Sequence, residues 1–373
     1  MNFDFSDDQV ALRDAVARWV ERDFGFERRH ALAKKGGATR DVFRELVDLG
    51  LAGLTVDPSH GGMGFGAVEA MVVMEELGRG LVNAPYAAAC LVAPALLAGG
   101  DAVVTAPWLA RIADGSALIV PALQEQGARY RHDAVATTAA QQAGGWALAG
   151  TKHLAPAGDE ADAYIVPARM GPHAVAPIGL FIVERARCRV RAYPTADGAR
   201  AASVTLAASP AQLVQSDALG AIERAADVGI AAACAEGVGA MDRLVAMTVE
   251  YMNTRKQFGV PIASFQALRH RMADVKMALE LARSMSYYAS LKLGEPAPQR
   301  RRALSQAKVQ LGQSMRFVGQ QCIQLHGGIG VTDECAASHY FKRLTMLEFA
   351  FGDTLHHVGE VSERMADTAG VFA

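Results

Sequence analysis

The sequence predicts an α+β protein in three parts: a helical N-terminal domain at 1–112, a middle antiparallel β-barrel domain at 113–217 and a C-terminal four-helix bundle at 218–373. Apolar residues recur at helical spacing in the first and last parts, whereas the middle part contains short β-like runs between turn formers. This order of elements is a first indication of function, although a fold alone does not determine one.

A capping pattern and amphipathic spacing predict the N-terminal helices. Ser6 followed three residues later by Gln9 is typical of a capping box, and Val16 and Val20 follow on one helical face. Further helices are expected at 41–47, 68–78 and 86–98.

Short runs of β-forming residues fill the middle part, and their spacing is typical of a barrel or a sandwich. They lie at 117–120, 146–148, 164–166, 179–183 and 203–206. The stretch 185–191 has neither Gly nor Pro and carries Arg185, Arg187, Arg189 and Arg191. Longer amphipathic segments with short connections then predict the helical bundle. They are expected near 222–255, 265–293, 299–325 and 334–346.

Composition excludes several classes of protein. Apolar residues make up 51% of the 373 residues, which excludes a disordered chain. The 37 Lys and Arg residues nearly balance the 39 Asp and Glu residues, so a nucleic-acid surface is not indicated. Five scattered Cys residues without CxxC spacing favour a reducing compartment. We expect a soluble cytoplasmic protein, because neither a secretory signal nor a strongly apolar stretch of about 20 residues is evident.

The first candidate motif is Arg255-Lys256-Gln257-Phe258-Gly259, followed by Phe265-Gln266. Arginine can bind phosphate oxygens with two hydrogen bonds, an aromatic ring can pack on a heterocycle, and glutamine can donate to it or accept from it. The alternative is a plain helix end, in which Gly259 caps the helix and Pro261 stops it.

The second motif is Gln324-Leu325-His326-Gly327-Gly328-Ile329-Gly330, in which glycines let the backbone approach a ligand closely. The alternative is an ordinary loop between helices. A Rossmann fingerprint is disfavoured because the glycines do not follow a strand.

The third motif is His339-Tyr340-Phe341-Lys342-Arg343, followed by Glu348 and by Asp353 near His356 and His357. Adjacent His residues on a helix point about 100° apart, so a metal site is disfavoured.

Together the three motifs resemble the acyl-CoA dehydrogenase family. The shared patterns are R-x-x-F-G with a following F-Q, Q-x-x-G-G-x-G, and a Tyr and Lys-Arg stretch ending in a glycine turn. The spacings and the α–β–α order also match, so the resemblance covers essentially the whole chain. More narrowly, 251–266, 320–330 and 339–343 resemble the small subunit of pimeloyl-CoA dehydrogenases.

The resemblance implies an acyl-CoA substrate, FAD as the cofactor, an electron-transfer flavoprotein as the electron acceptor, and a homo- or hetero-oligomer. It implies that each flavin is completed across a subunit interface, so that this chain serves the flavin seated mainly in its partner. Arg255 would neutralise the pyrophosphate of FAD and Phe258 would pack on the cofactor. The residues expected to bind FAD are Arg255, Phe258, Gln266, Gln324, Gly327 and Gly328.

The β domain departs from the family pattern. Members usually have K-x-W-I-T-N where this chain has Lys152-His153-Leu154-Ala155-Pro156-Ala157, and 124–129 replaces a T-E-P run. Pro156 takes the place of a threonine that touches the flavin ring, and proline offers neither a hydroxyl nor an N–H. We therefore expect the flavin-facing half of this domain to be altered.

The usual catalytic base is also missing. Phe351 stands where the family has Glu, and Gly229 stands at the alternative Glu position, with Asp227 two residues earlier. Asp353 is the nearest candidate to take the α proton of the substrate, whereas Glu348 is less favoured. The other interpretation of Asp353 is the N-cap of the last helix.

Three hypotheses follow. The first is an acyl-CoA dehydrogenase small subunit that shares a FAD site with a larger catalytic partner. The second is a self-sufficient homo-oligomeric flavoenzyme that uses Asp353 as its base, including a nitroalkane-oxidase-like variant. The third is a scaffold subunit without flavin.

Overall fold

The computed structural model describes residues 4–171, 173 and 175–365, with helices at both ends of the chain and strands in the middle. The helices before the strands are α1 (Asp7–Asp23), α2 (Phe26–Lys34), α3 (Arg40–Asp48), α4 (Ala67–Arg79), α5 (Ala93–Leu97) and α6 (Ala102–Ala113). The strands of the middle part are β1 (Ile119–Pro121), β2 (Thr138–Gln142), β3 (Gly145–Pro156), β4 (Ala163–Arg169), β5 (Ile178–Glu184), β6 (Arg189–Pro194) and β7 (Arg200–Gln215). After them come α7 (Leu219–Thr254), β8 (Lys256–Gln257), β9 (Val260–Pro261), α8 (Gln266–Lys292), α9 (Ala297–His326), α10 (Ala336–Phe349) and α11 (Thr354–Met365).

By its internal contacts the chain divides into two compact units. One contains the residues up to Arg29, Ala67–Val82 and the residues from Ile230 onward, and the other contains His30–Gly66 and Asn83–Gly229. The three sequence domains, whose ends 1–3 and 366–373 lie outside the described residues, stay a prediction.

The predicted capping box at the start of α1 is confirmed. Gln9 N donates to Ser6 Oγ at 3.3 Å, and Ser6 N donates to Gln9 Oε1 at 3.0 Å. Val16 and Val20 are buried, and this face of α1 packs against α4.

The middle sheet closes on itself as predicted for a barrel. The order β4-β2-β3-β7-β5 returns to β4 through the β4–β5 pairing, while β1 adds to β4 and β6 adds to β7. The expectation of a wholly antiparallel sheet was wrong at two pairs, because β1 runs parallel to β4 and β2 meets β4 in parallel at Thr138↔Arg169. The sequence of β2, Thr-Ala-Ala-Gln-Gln, has no apolar run from which a strand could be predicted.

The four predicted C-terminal helices are present as α7 to α10. Helix α9 packs against α8, α10 and α11, so it lies at the centre of this group. Its buried positions include Leu304, Leu311, Met315 and Val318, which recur at the spacing of one helical face.

Glycines set a close crossing of α4 and α7. An added Cβ at Gly239 would lie 1.7 Å from the Glu75 carbonyl oxygen, and one at Gly78 would lie 2.1 Å from the Glu236 carbonyl oxygen. The small residues in this part of α7 therefore serve close helix packing. Arg283 and Arg79 pair with Glu75 and Asp242 beside the crossing.

Candidate cofactor-binding site

A tight hairpin follows α7 and presents the first motif. Strands β8 and β9 pair at Gln257↔Val260, so only Phe258 and Gly259 form the turn. Their φ angles are 54° and 81°, and a positive φ at both central residues is the requirement of a type I′ turn. The left-handed conformation costs an L-residue such as Phe258 about 1–2 kcal/mol, yet its side chain is 91% exposed.

The base of the hairpin is fixed by a small apolar cluster. Met252, Ile262 and Leu325 are buried together, and Phe265 packs against them. The Phe258 and Phe265 rings meet edge to face with centroids 6.2 Å apart. The hairpin is therefore anchored at its root while its tip projects from the chain.

The cationic and polar members of this motif are exposed. Arg255 directly follows the last residue of α7, and its backbone N–H donates a hydrogen bond to the Tyr251 carbonyl at 2.8 Å. In the described ranges its guanidinium forms no hydrogen bond or ion pair, and the same is true of the Gln266 side chain at the start of α8. Both side chains are available to a ligand or to another chain.

Tyr251 brings the second motif to the first. Its ring stacks on that of His326 with centroids 4.6 Å apart, and its hydroxyl donates to the His326 carbonyl at 3.3 Å. Because Tyr251 lies one turn before Arg255 and His326 ends α9, this contact joins the ends of α7 and α9. Gln324 and the glycine turn thus lie at the same end of the helices as the hairpin.

The three glycines of the turn are explained by different constraints, namely packing, backbone conformation and the space outside the chain. An added Cβ at Gly330 would lie 2.8 Å from His326 Cβ, so Gly330 is required by packing within the chain. Gly327 has φ 65° and ψ −146°, a backbone conformation that residues other than glycine rarely adopt. At exposed Gly328, by contrast, a Cβ would meet no described atom within 4 Å, so a close approach from outside the chain would explain it.

The segment of the β domain that is expected to face the flavin has an irregular backbone. Leu154 lies in an irregular stretch of β3, has φ 55°, and donates its N–H to the Tyr193 hydroxyl at 2.9 Å. Pro156, two residues on, has no N–H to donate. Among the backbone groups of this segment, the donor at 154 is thus taken within the chain and the donor at 156 is missing.

A buried ion pair lies beneath the same segment. Lys152 is fully buried and pairs with Glu125, which also accepts from Ala136 N at 2.7 Å and Thr137 Oγ1 at 2.7 Å. Burial lowers the pKa of Lys152 to about 8 against the attraction of Glu125. Burial acts to raise the pKa of Glu125, but Lys152 and the other donors outweigh it, so that pKa is lowered. Within the run 124–129, Glu125 therefore joins Lys152 of β3 to the residues just before β2.

The turn between α10 and α11 contains the candidate base. Asp353 is buried, and its Oδ1 accepts from His356 N at 2.8 Å, which is the contact of a helix N-cap. Glu348 Oε1 accepts from Thr354 N at 3.0 Å and from Thr354 Oγ1 at 2.8 Å. Both carboxylates thus bind the first turn of α11, and a catalytic role of Asp353 stays a prediction.

Behind this turn lies a lysine that the motifs did not reveal. Lys308 is fully buried in α9 and donates to the carbonyl oxygens of Leu347 and Glu348, each at 2.8 Å. Burial lowers its pKa to about 8, although Cys234, Glu348 and Asp353 act to raise it. The ammonium closes the C-terminal end of α10, where carbonyl groups lack helical partners.

Stability should respond to this lysine at alkaline pH. The pKa of an unfolded lysine is about 10.4, so between about pH 8 and 10.4 the unfolded chain holds a proton that folded Lys308 has released. Stability from this group therefore rises with pH, by on the order of 3 kcal/mol. We expect the unfolding free energy of the natural protein minus that of Lys308→Met to increase over this range in urea titrations. A difference that stays constant with pH would contradict the shifted pKa.

Comparison with known proteins agrees with the motifs. The acyl-CoA dehydrogenase N-terminal domain model matches residues 6–116, and the C-terminal domain model matches 219–366. The chain is 30% identical over 339 residues to acyl-CoA dehydrogenase IpdE2 of Mycobacterium tuberculosis, across 90% of this chain and 91% of that protein. The chain belongs to the acyl-CoA dehydrogenase family. As an acyl-CoA dehydrogenase it is an oxidoreductase with FAD as its cofactor. Specificity for pimeloyl-CoA stays a prediction.

Solved structures show the same fold. A variant of the Tcur3481-Tcur3483 steroid ACAD superposes with a TM-score of 0.87 at 26% identity, covering 98% of this chain and 99% of that one. The FAD complex of PigA superposes with a TM-score of 0.89 at 21% identity, over 98% and 99% of the two chains, and at that identity shows the fold alone. In the described ranges, none of the helices of this acyl-CoA dehydrogenase is long and apolar enough to span a bilayer.

These residues suit the nucleotide end of FAD better than its flavin ring. An exposed aromatic ring, an unconstrained glycine and an exposed guanidinium that has no partner within the described part of the chain suit the charged nucleotide end of FAD. In the segment expected to face the flavin, the N–H of Leu154 is bonded to Tyr193 and Pro156 has no N–H to donate. Sequence motifs indicated the first group and included Tyr251 without assigning it a role. They missed Tyr193 and Lys308, whose contacts depend on distant elements.

Proposed function

We propose that this chain is the small subunit of a hetero-oligomeric acyl-CoA dehydrogenase. It would complete a FAD site that is seated mainly in a larger, related subunit. The observation that carries the proposal is an asymmetry. The groups suited to the nucleotide end of FAD are exposed and have no partner among the described residues, whereas the N–H of Leu154 is bonded within the chain, Pro156 has none, and Phe351 replaces the usual base.

The chemistry divides between the two subunits accordingly. Bound FAD would supply the acceptor for the hydride of the substrate's β carbon, and a carboxylate would take the α proton, so that the product would be the α,β-unsaturated thioester. Arg255 of this chain would offset the charge of the pyrophosphate, and Phe258 would exclude water from one side of the cofactor. The larger subunit would supply the carboxylate, and electrons would leave to an electron-transfer flavoprotein.

A two-chain assembly is supported by the name of one similar enzyme. The Tcur3481-Tcur3483 steroid ACAD, 26% identical to this chain, is named for two proteins. The exposed Phe258 and Val260 of the hairpin and the exposed Ile329 and Val331 beside the glycine turn give the chain an apolar surface at the same end. Such a surface is typical of a contact with another protein.

Flavin content distinguishes this proposal from a self-sufficient enzyme. We expect the chain purified alone to contain little FAD and to show no acyl-CoA oxidation, because both the base and the flavin-facing donors come from the partner. Co-purified with its larger partner, it should yield an active complex with about one FAD per pair of unlike chains. The measurement is the flavin absorbance per chain, and full loading with turnover by the isolated chain would refute the proposal.

A homo-oligomeric enzyme that uses Asp353 as its base is the second candidate, favoured by the burial of that carboxylate. Asparagine caps a helix as well as aspartate but cannot take a proton. If the base lies in the partner, Asp353→Asn should leave the rate of FAD reduction by acyl-CoA within about twofold, while Asp353→Ala should lower the unfolding free energy by ~1 kcal/mol through loss of the cap. Loss of reduction in Asp353→Asn with FAD still bound would assign the base to this chain.

A further inference from the structure

The outer strand β6 carries an arginine pair that the proposed reaction does not use. Arg189 and Arg191 alternate with Val190 along β6, so both side chains lie on the same face, and both are exposed. In the part of the chain that the structure describes, neither guanidinium forms a hydrogen bond or an ion pair. Two unpaired cations about 7 Å apart along a strand are therefore held side by side.

The strand register places polar groups beside both arginines. Arg189 lies opposite Thr205 of β7, which in turn lies opposite Thr151 of β3. Arg191 lies opposite Ser203, and the Ser203 hydroxyl is 3.1 Å from His153 Nδ1. Two parallel rows thus cross the three strands, each beginning with a guanidinium. We call this surface the basic face, formed by Thr151, His153, Arg189, Arg191, Ser203 and Thr205.

No negative charge on these strands opposes the arginines. Strands β3, β6 and β7 contain neither Asp nor Glu. Lys152 of β3 points to the opposite, buried side and pairs there with Glu125. The basic face therefore offers hydrogen-bond donors in excess, and its net charge is positive.

We propose that the basic face binds the phosphate groups of a small anionic ligand, such as a diphosphate or a nucleotide. Arginine guanidinium groups match phosphate oxygens in geometry, and hydroxyl and imidazole groups between them can add hydrogen bonds. Thr151, Ser203 and Thr205 have short side chains and are less exposed than the two arginines, which suits a small anion more than a flat protein surface.

Protection of the sheet edge is the other explanation for these arginines. Strand β6 pairs only with β7 among the described strands, and charged side chains keep such edges from joining other chains. Lysine protects an edge as well as arginine does but binds phosphate only as a point charge. Arginine-to-lysine variants therefore separate the two explanations.

The test is isothermal titration of the full-length chain with inorganic pyrophosphate at low ionic strength, with coenzyme A and ADP as further arms. We expect saturable binding that Arg189→Gln/Arg191→Gln weakens by at least about tenfold, and that Arg189→Lys/Arg191→Lys weakens by a smaller factor. Arg44→Gln, which removes an exposed arginine of α3 in the same unit, should leave binding unchanged.

Three results would overturn the proposal. One is the absence of saturable pyrophosphate binding by the natural chain, and another is equal affinity of the natural chain and either double variant. The third is binding of polyglutamate, lost in the glutamine double variant, without binding of pyrophosphate, because this would make the face a docking site for an acidic protein. These readouts do not depend on flavin, so they are independent of the proposed subunit role. The relative response to pyrophosphate, ADP and coenzyme A shows which source supplies the phosphate.

Discussion

Replacing Arg255 by alanine is expected to lower the affinity of the assembled enzyme for FAD by about 10- to 100-fold. The guanidinium is exposed and has no partner among the described residues, so its removal leaves no buried group unsatisfied within this chain. In the proposed role, the loss would fall instead on the pyrophosphate of FAD, which would keep its charge without a cation beside it. Hydrogen bonds to a charged group are worth about 1.5–3 kcal/mol each, which sets the size of the effect.

The measurement is FAD retained by the complex after dialysis, followed by titration with FAD. Arg18→Ala is the matched control, because Arg18 is another exposed arginine in the same compact unit and lies on α1, in the opposite part of the sequence. Arg255→Lys keeps the charge without the two-pronged geometry and should have an intermediate effect. Normal FAD affinity in Arg255→Ala, in a complex that still assembles, would remove Arg255 from the site.

The second large effect is expected from Gly239→Ala, which should lower the unfolding free energy by about 3 kcal/mol or more. The new Cβ would lie 1.7 Å from the Glu75 carbonyl oxygen and 3.0 Å from Arg79 N. Both contacts are backbone atoms of α4, so no side-chain rotation can relieve them. Either α4 and α7 separate, and the pairing of Arg283 with Glu75 beside them is disturbed, or the helices distort.

The control is the same substitution at a glycine without neighbours. Gly359 lies in α11, where an added Cβ would meet no described atom within 4 Å. Gly359→Ala should stabilise the protein by about 0.5–1 kcal/mol, because alanine is the better helix former. Thermal unfolding followed by circular dichroism compares the two variants. A similar melting temperature in both would show that the crossing of α4 and α7 tolerates a methyl group.

Local sequence signals predicted the elements that depend on neighbouring residues. The capping box of Ser6 and Gln9, the long C-terminal helices and the β-like runs all rest on patterns within one segment. Strand β2 was not predicted, because its Thr-Ala-Ala-Gln-Gln sequence is mostly exposed and forms a strand only through its pairing with β3. The two parallel pairings of β4 likewise depend on chain topology, which periodicity does not report.

The candidate site divides in the same way. Motifs indicated Arg255, Phe258 and the glycine turn because their spacing is local. The Tyr193 hydroxyl reaches Leu154 across two strand pairings, and Lys308 reaches the end of α10 across a helix interface. No pattern in the sequence marks such contacts, since they are created by packing between segments far apart in the chain.

The hairpin tip has a consequence for how the protein would be produced in a cell. If the chain assembles with a larger subunit as proposed, an unassembled copy would expose the phenyl ring of Phe258 on a turn that is already unfavourable. Unassembled copies would therefore be prone to non-specific association, aggregation and proteolysis. Under the proposed assembly, balanced synthesis of the two subunits, as from neighbouring cistrons on one messenger, would keep such copies scarce.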